Sequence, residues 1–122
     1  MPEFGSRSKE KLKTCDPQIQ MVLEEAIKHY DFSILEGHRT EEKQQEYFKS
    51  GASKVQFPDS KHNVSPSMAV DVVPYPIDWS DLHRFKELSE VIKEACETVE
   101  VGSMYWGFDL WQWDMPHWEI RV

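Results

Sequence analysis

Three short segments of the chain carry side chains that can bind a metal ion or move a proton. They are Ser60-Lys61-His62, Ala69-Val70-Asp71 and Asp114-Met115-Pro116-His117-Trp118-Glu119. Two imidazoles and one carboxylate from these segments (His62, His117 and Asp71) could bind one zinc ion. Three protein ligands leave a coordination position open for water, which is typical of a catalytic rather than a structural zinc site.

Asp71 lies within the apolar run 68–73, where an ionised carboxylate is costly unless a cation or a metal accompanies it. The run is predicted to be a buried strand, and Pro74 and Pro76 mark its end. His62 precedes this strand in a loop, and His117 begins the last predicted strand. If the two strands pair, the three side chains meet. A single His or a single Asp in a strand commonly has a structural role, so the prediction of a metal site depends on all three residues occurring together.

Asp114 is the candidate general base, because its carboxylate stands three residues before His117. Pro116 fixes the backbone between them. In this role Asp114 takes a proton from water at the zinc and passes it to the leaving amine; the alternative is a carboxylate that only caps the loop. Glu119 shares a strand face with His117 by the two-residue period, so a hydrogen bond to that imidazole is its predicted role.

Arg39 follows the end of an earlier predicted strand, where side chains often enter a site. Its guanidinium could stabilise a developing oxyanion or bind a substrate carboxylate through two hydrogen bonds. A surface ion pair is the structural alternative.

Composition bounds the classes of protein to which the chain can belong. Its 122 residues suffice for one small domain, and 14 basic against 22 acidic side chains give a net charge of -8. This balance argues against nucleic acid as a partner. No apolar run reaches the roughly 18 residues needed to cross a membrane, so membrane insertion is not expected. Cys15 and Cys96 are expected to be buried free thiols.

The N-terminal residues show no apolar core of a signal peptide. Residues 1–8 are interpreted as a vector-derived or disordered segment, and residues 9–122 as one catalytic domain, expected to be monomeric.

The periodicity of apolar residues predicts helices over 17–30, 41–49 and 82–99, strands over 32–35, 68–73, 105–106 and 117–122, and an ordered loop over 52–67. This order indicates an α+β domain with helices packed on a small antiparallel sheet.

Several motifs in one order make the chain recognisable from about Leu12 onward. Besides the three segments above, they are Phe32-Ser33-Ile34-Leu35-Glu36-Gly37-His38-Arg39-Thr40 and Ser50-Gly51-Ala52-Ser53-Lys54. The chain resembles the zinc peptidases of the VanY and D-alanyl-D-alanine carboxypeptidase group, and within it the phage endolysins that are L-alanyl-D-glutamate peptidases. The resemblance implies the same small α+β fold.

The resemblance also implies roles for individual residues. His62, Asp71 and His117 would bind Zn²⁺, Asp114 would be the catalytic base, Arg39 would stabilise the tetrahedral intermediate, and Ser60 would contact the substrate. Two departures from the family pattern stand out. The segment between His62 and Asp71 is about two residues longer than usual and lacks Gly, and Trp106-Gly107-Phe108-Asp109 replaces Trp-Gly-Gly-Asp, which makes Asp109 a second, weaker candidate for ligand or base.

The implied function is a zinc-dependent hydrolase of peptidoglycan stem peptides, with the L-alanyl-D-glutamate bond as the favoured target. The alternatives are a D-alanyl-D-alanine carboxypeptidase of the same group and a non-catalytic domain that binds the cell wall or a metal. An enzyme of this kind is expected to be made in the cytoplasm without a signal peptide and to act on the bacterial wall after release during phage or prophage lysis.

Overall fold

The computed structural model describes residues 2–121. Within this range, five α-helices and four strands alternate along the chain, with one short 3-10 helix at Lys61–Asn63. In chain order the elements are α1 (Ser6–Leu12), α2 (Pro17–Ala26), β1 (Phe32–Glu36), α3 (Glu41–Ser50), β2 (Ala69–Pro74), α4 (Leu82–Thr98), β3 (Met104–Trp106), α5 (Gly107–Trp111) and β4 (His117–Ile120).

The four strands form one antiparallel sheet in the order β1-β2-β4-β3. The register of the central pair sets Val70 opposite Trp118 and Asp71 opposite His117. Because successive side chains of a strand point to opposite faces, these two pairs lie on opposite sides of the sheet. Val70 and Trp118 are buried in the core, whereas Asp71 and His117 line a cleft.

The helices supply the other half of the core. α2 and α4 pack on each other, and α4 also contacts β2 and β3. Their buried residues recur at helical spacing, so each helix presents one apolar side to the sheet and to its neighbour. The predicted α+β class, with helices on a small antiparallel sheet, is confirmed. No helix in residues 2–121 is long and apolar enough to span a bilayer.

Local capping explains why the predicted helix starts are confirmed. The Asp16 carboxylate accepts a hydrogen bond from the Gln18 N–H (2.8 Å), and the Thr40 hydroxyl accepts one from the Lys43 N–H (3.2 Å). Gly51 ends α3 in the left-handed conformation with φ 83°. α2, however, ends before the predicted boundary, because Ile27 and Tyr30 pack on the core from a turn and so extend the apolar periodicity beyond the helix.

Two helices were not predicted. α5 lies between the last two predicted strands, where the sequence patterns predict no element, and α1 overlaps residues 1–8, which are predicted to lie outside the domain. The Phe4 ring packs edge-on against Phe32 at 5.2 Å, and the Ser8 hydroxyl accepts a hydrogen bond from the Ile34 N–H. A short polar segment with one Phe carries no periodic signal, so sequence patterns cannot place it against the sheet. Residues 1 and 122, at the ends of the predicted segments, lie outside the described residues.

A substitution at Gly37 tests how tightly the turn after β1 packs against α1. We expect Gly37→Ala to lower the free energy of unfolding by about 1–3 kcal/mol, because overpacking displaces neighbours. A Cβ at residue 37 would lie 2.5 Å from the Lys11 carbonyl oxygen and 2.9 Å from Cys15 Sγ. Gly102→Ala is the matched control, since its nearest neighbouring atom is 3.7 Å away. Urea unfolding measures both; equal midpoints for the two variants would contradict the packing argument.

Candidate active site

A cleft of about 470 Å³ opens on the sheet face that carries Asp71. Its volume lies in the range typical of small-molecule sites. Four acidic and four basic side chains line it, so the cleft is balanced in charge although the whole chain carries -8. These charged residues are Arg39, Lys54, Asp59, Lys61, Asp71, Asp114, Glu119 and Arg121.

Three of the predicted site residues converge at one point of this cleft. His62 Nε2 lies 3.2 Å from Asp71 Oδ1, and His117 Nδ1 lies 3.5 Å from the same oxygen. One ligand atom from each of the three residues falls within 4.8 Å of the others, so the group could hold a metal ion. His62 Nε2 is also buried without a hydrogen-bond partner in the described structure. A buried, unpaired ring nitrogen is costly, and a metal ligand role would explain it.

Hydrogen bonds on the far side of each ring orient the two imidazoles. His62 Nδ1 donates to the Gly37 carbonyl oxygen at 2.8 Å, which leaves Nε2 as the lone-pair nitrogen facing Asp71. His117 Nε2 donates to Glu119 Oε1 at 2.9 Å, which leaves Nδ1 facing Asp71. Such outer hydrogen bonds fix the tautomer and strengthen a metal-binding imidazole. The predicted hydrogen bond of Glu119 to His117 is confirmed.

Charge around the three residues favours a cation at their centre. Burial alone would raise the pKa of Asp71, but the imidazoles of His62 and His117 hold it well below its usual value. Burial alone would lower the pKa of His117, yet hydrogen bonds to Asp71 and Glu119 raise it to about 9. Both shifts show that the site stabilises positive charge, which a divalent cation bound in place of the His117 proton could supply.

Asp114 lines the same cleft, in a loop against which α5 packs closely. A Cβ at Gly107, the first residue of α5, would lie 2.6 Å from the Asp114 carbonyl oxygen and 3.0 Å from the Cβ atoms of both Asp114 and His117. Only glycine leaves room for this approach. Burial raises the pKa of Asp114, which suits a group that must accept and return a proton. Asp109 instead faces Lys93 at 3.1 Å, outside the cleft.

Arg39 is buried in the cleft wall rather than exposed in a surface pair. Its guanidinium bonds to the Glu36 carboxylate and to Gln44 Oε1 (2.8 Å), and Nη2 lies 3.6 Å from Asp71 Oδ2. The Tyr47 ring stacks against it, with Arg39 Cζ 4.7 Å from the ring centroid. Its position beside Asp71 places a fixed positive charge next to the candidate ligands.

Ser60 also lines the cleft, and its hydroxyl has a structural task. Ser60 Oγ accepts a hydrogen bond from the His62 N–H at 3.2 Å and so begins the 3-10 helix that carries the candidate ligand. The side chain of Asn63 accepts a bond from the Ser60 N–H and completes a reciprocal cap. The hydroxyl can still donate its own proton toward the cleft.

Sequence reasoning missed the groups that hold Arg39 and His62 in place. Glu36 lies opposite Asp71 across β1 and β2, beside an irregularity in the strand register. Its i−3 spacing from Arg39 was the available signal. Neither the fully buried Gln44 nor the Gly37 carbonyl could have been identified, because an amide in a polar helix and a backbone oxygen leave no distinctive pattern.

Removal of the outer hydrogen bond tests the candidate metal site. We expect Glu119→Gln to weaken Zn²⁺ binding about 10–100-fold, because a neutral amide polarises the His117 ring less than a carboxylate does. Glu25→Gln is the control, since Glu25 forms the same kind of pair with His29 on the surface (2.7 Å). Competition with a chromogenic chelator measures both affinities. Equal affinities for wild type and Glu119→Gln would show that this pair does not support a metal.

Comparisons with known proteins identify the family of the chain. The family model described as phage L-alanyl-D-glutamate peptidase matches residues 2–121. The L-alanyl-D-glutamate peptidase of Escherichia phage T5 is 31% identical over 98 residues, which cover 76% of this chain and 71% of the relative. The crystal structure of the Serratia marcescens L-Ala D-Glu endopeptidase ChiX superposes with a TM-score of 0.83 at 25% identity, covering 98% of this chain and 90% of that one. The chain belongs to the phage L-alanyl-D-glutamate peptidase family.

Proposed function

We propose that this protein is a zinc-dependent peptidase that hydrolyses the L-alanyl-D-glutamate bond of peptidoglycan stem peptides. The observation that carries the proposal is the unpaired, buried His62 Nε2, which converges with Asp71 and His117 in the cleft that Asp114 also lines. The names of the family and of its relatives supply the substrate class. The bacterial cell wall is then the place of action, and the proposed working unit is a monomer.

Zinc fits the donor set of His62, Asp71 and His117. Two imidazole nitrogens and one carboxylate oxygen are common zinc ligands, and three protein ligands are typical of catalytic sites. When bound, the ion would supply a Lewis acid to polarise the peptide carbonyl and promote ionisation of water.

Asp114 is the residue proposed to move the proton. Its carboxylate accepts a proton as water attacks the L-alanyl carbonyl carbon, and it then protonates the D-glutamyl nitrogen as the carbon–nitrogen bond breaks. The second proton of the attacking water also passes to the released amine, so the products are a carboxylate and an ammonium group, and Asp114 ends the cycle ionised. Partial burial supports this role, because the raised pKa brings the acid and base forms closer in free energy.

Arg39 and Ser60 are proposed to act on the substrate. An arginine has five N–H donors, and the bonds to Glu36 and Gln44 use only some of them. The remaining donors can stabilise the oxyanion that develops on the attacked carbonyl. Ser60 can donate a hydrogen bond to the substrate backbone while its oxygen remains the cap for His62.

Removal of the base is the direct test. We expect Asp114→Ala to lower the rate of stem-peptide hydrolysis about 10²–10⁴-fold at equal zinc occupancy, because general base catalysis is lost. Asp109→Ala is the matched control, because this acid pairs with Lys93 away from the cleft and its loss should leave the rate nearly unchanged. Digestion of purified peptidoglycan, followed by mass analysis of the fragments, measures the rate and identifies the bond.

The fragments also separate the proposal from its alternatives. New D-glutamyl N-termini that depend on Asp114 support the endopeptidase. Release of terminal D-alanine alone would instead identify a carboxypeptidase of the same group. A wild-type protein that binds one zinc per chain but releases nothing would be a non-catalytic binding domain.

A further inference from the structure

The basic side chains of the cleft differ in whether a carboxylate already neutralises them. Arg39 bonds to Glu36, and Arg121 Nε donates to Glu119 Oε2 at 2.8 Å. Lys54 and Lys61 have no carboxylate within 4.0 Å in residues 2–121. Lys54 Nζ instead lies over the indole ring of Trp113, 5.0 Å from its centroid.

Lys54 and Trp113 line the same cleft but come from distant parts of the chain. Lys54 belongs to the loop after α3, and Trp113 directly precedes the candidate base Asp114. The contact therefore holds the lysine ammonium beside the segment that carries the candidate base. Both side chains are exposed, with Trp113 at 49%, so a bound substrate can reach them.

The backbone on both sides of Lys54 is fixed relative to Arg39. The Gln44 amide nitrogen donates to Ser53 Oγ (2.9 Å) and to the Val55 carbonyl oxygen (2.7 Å), while the Gln44 amide oxygen accepts from Arg39. One buried side chain thus bonds both to Arg39 and to the residues on either side of Lys54. Holding the segments that carry two cleft cations together in this way reduces the ordering that a substrate must bring about on binding.

The proposed substrate carries an anion next to the cleaved bond. A D-glutamyl residue acylated on its nitrogen by L-alanine has two carboxyl groups. The stem peptide continues from only one of them, so the other remains a free carboxylate unless it is amidated.

We propose that Lys54, positioned by Trp113, binds this free carboxylate of the D-glutamyl residue and makes the peptidase prefer it over the amide. The inference rests on the proposed function. A cation–π contact at an exposed site is weak and leaves the ammonium donors free to bond to a carboxylate. The alternative role for Lys54 is a purely structural contact that joins the loop after α3 to the segment around Trp113.

Paired substrates distinguish these two roles. The probes are two synthetic peptides, N-acetyl-L-Ala-D-Glu-L-Lys joined through the D-Glu γ-carboxyl, with the α-carboxyl either free or a primary amide. We expect wild type to hydrolyse the free acid with a kcat/KM about tenfold or more above that of the amide, as for loss of one charged hydrogen bond. In Lys54→Met the ratio falls to about one, mainly because hydrolysis of the free acid slows.

Three further variants sharpen the test. Lys61→Met removes the other cleft lysine and should keep the wild-type ratio. Trp113→Leu should lower the ratio because the ammonium loses its anchor, whereas Trp113→Phe, which keeps a ring, should retain most of it. Calorimetry with the two product peptides, which begin with D-Glu or its amide, should show the same preference in binding and the same loss in Lys54→Met.

The outcomes separate the two levels of the argument. A wild type without preference, or a Lys54→Met variant that slows on both peptides equally, overturns the role of Lys54 while the peptidase assignment stands. If zinc-loaded wild type cleaves neither peptide between L-Ala and D-Glu, the proposed function itself fails, and the inference fails with it.

Discussion

The antiparallel pairing of β2 with β4 is the constraint on which the candidate site depends. Its register sets Asp71 directly opposite His117, while Val70 and Trp118, one residue away, meet on the other face. A shift by a single residue would exchange the two faces. A slip of β4 would turn His117 into the core and expose Trp118, one of the largest fully buried side chains. The apolar core therefore enforces the register, and the register brings the two ligands from distant parts of the sequence together.

The same strand pairing places three carboxylates on the cleft face of the sheet, and each of them has basic side chains beside it. The cleft face of the sheet carries Glu36, Asp71 and Glu119, each desolvated on one side. Arg39 accompanies Glu36, and Arg121 together with His117 accompanies Glu119. Asp71 depends on Arg39 at 3.6 Å and on the two imidazoles. Asp71 and the two imidazoles are the group that could bind a divalent cation, since an ionised carboxylate that is largely removed from water needs a positive partner.

Most of the fold and the candidate ligands could be predicted from the sequence because they carry strong local signals. Apolar periodicity and capping residues such as Asp16 and Thr40 locate the helices, and an Asp within an apolar strand is conspicuous. What could not be predicted depends on contacts between distant segments. Phe4 joins the core only through Phe32, and Gln44 acquires its role only where Arg39 and the loop at Ser53 approach it. Such residues look ordinary in sequence because their surroundings are tertiary.

The segment between His62 and Asp71 is held by hydrogen bonds near both of its ends. Its far end is tied down at Ser67, which is fully buried: the Ser67 N–H donates to the Thr14 carbonyl oxygen, and the Asp16 N–H donates to the Ser67 carbonyl oxygen, each at 2.8 Å. The Met68 N–H donates to the Lys61 carbonyl oxygen at 3.1 Å and closes the loop next to His62. The residues between, 64–66, are exposed. The middle of the segment therefore projects into solvent while hydrogen bonds hold the backbone next to His62 and ahead of Asp71, and added length in such a surface loop costs little once its ends are held.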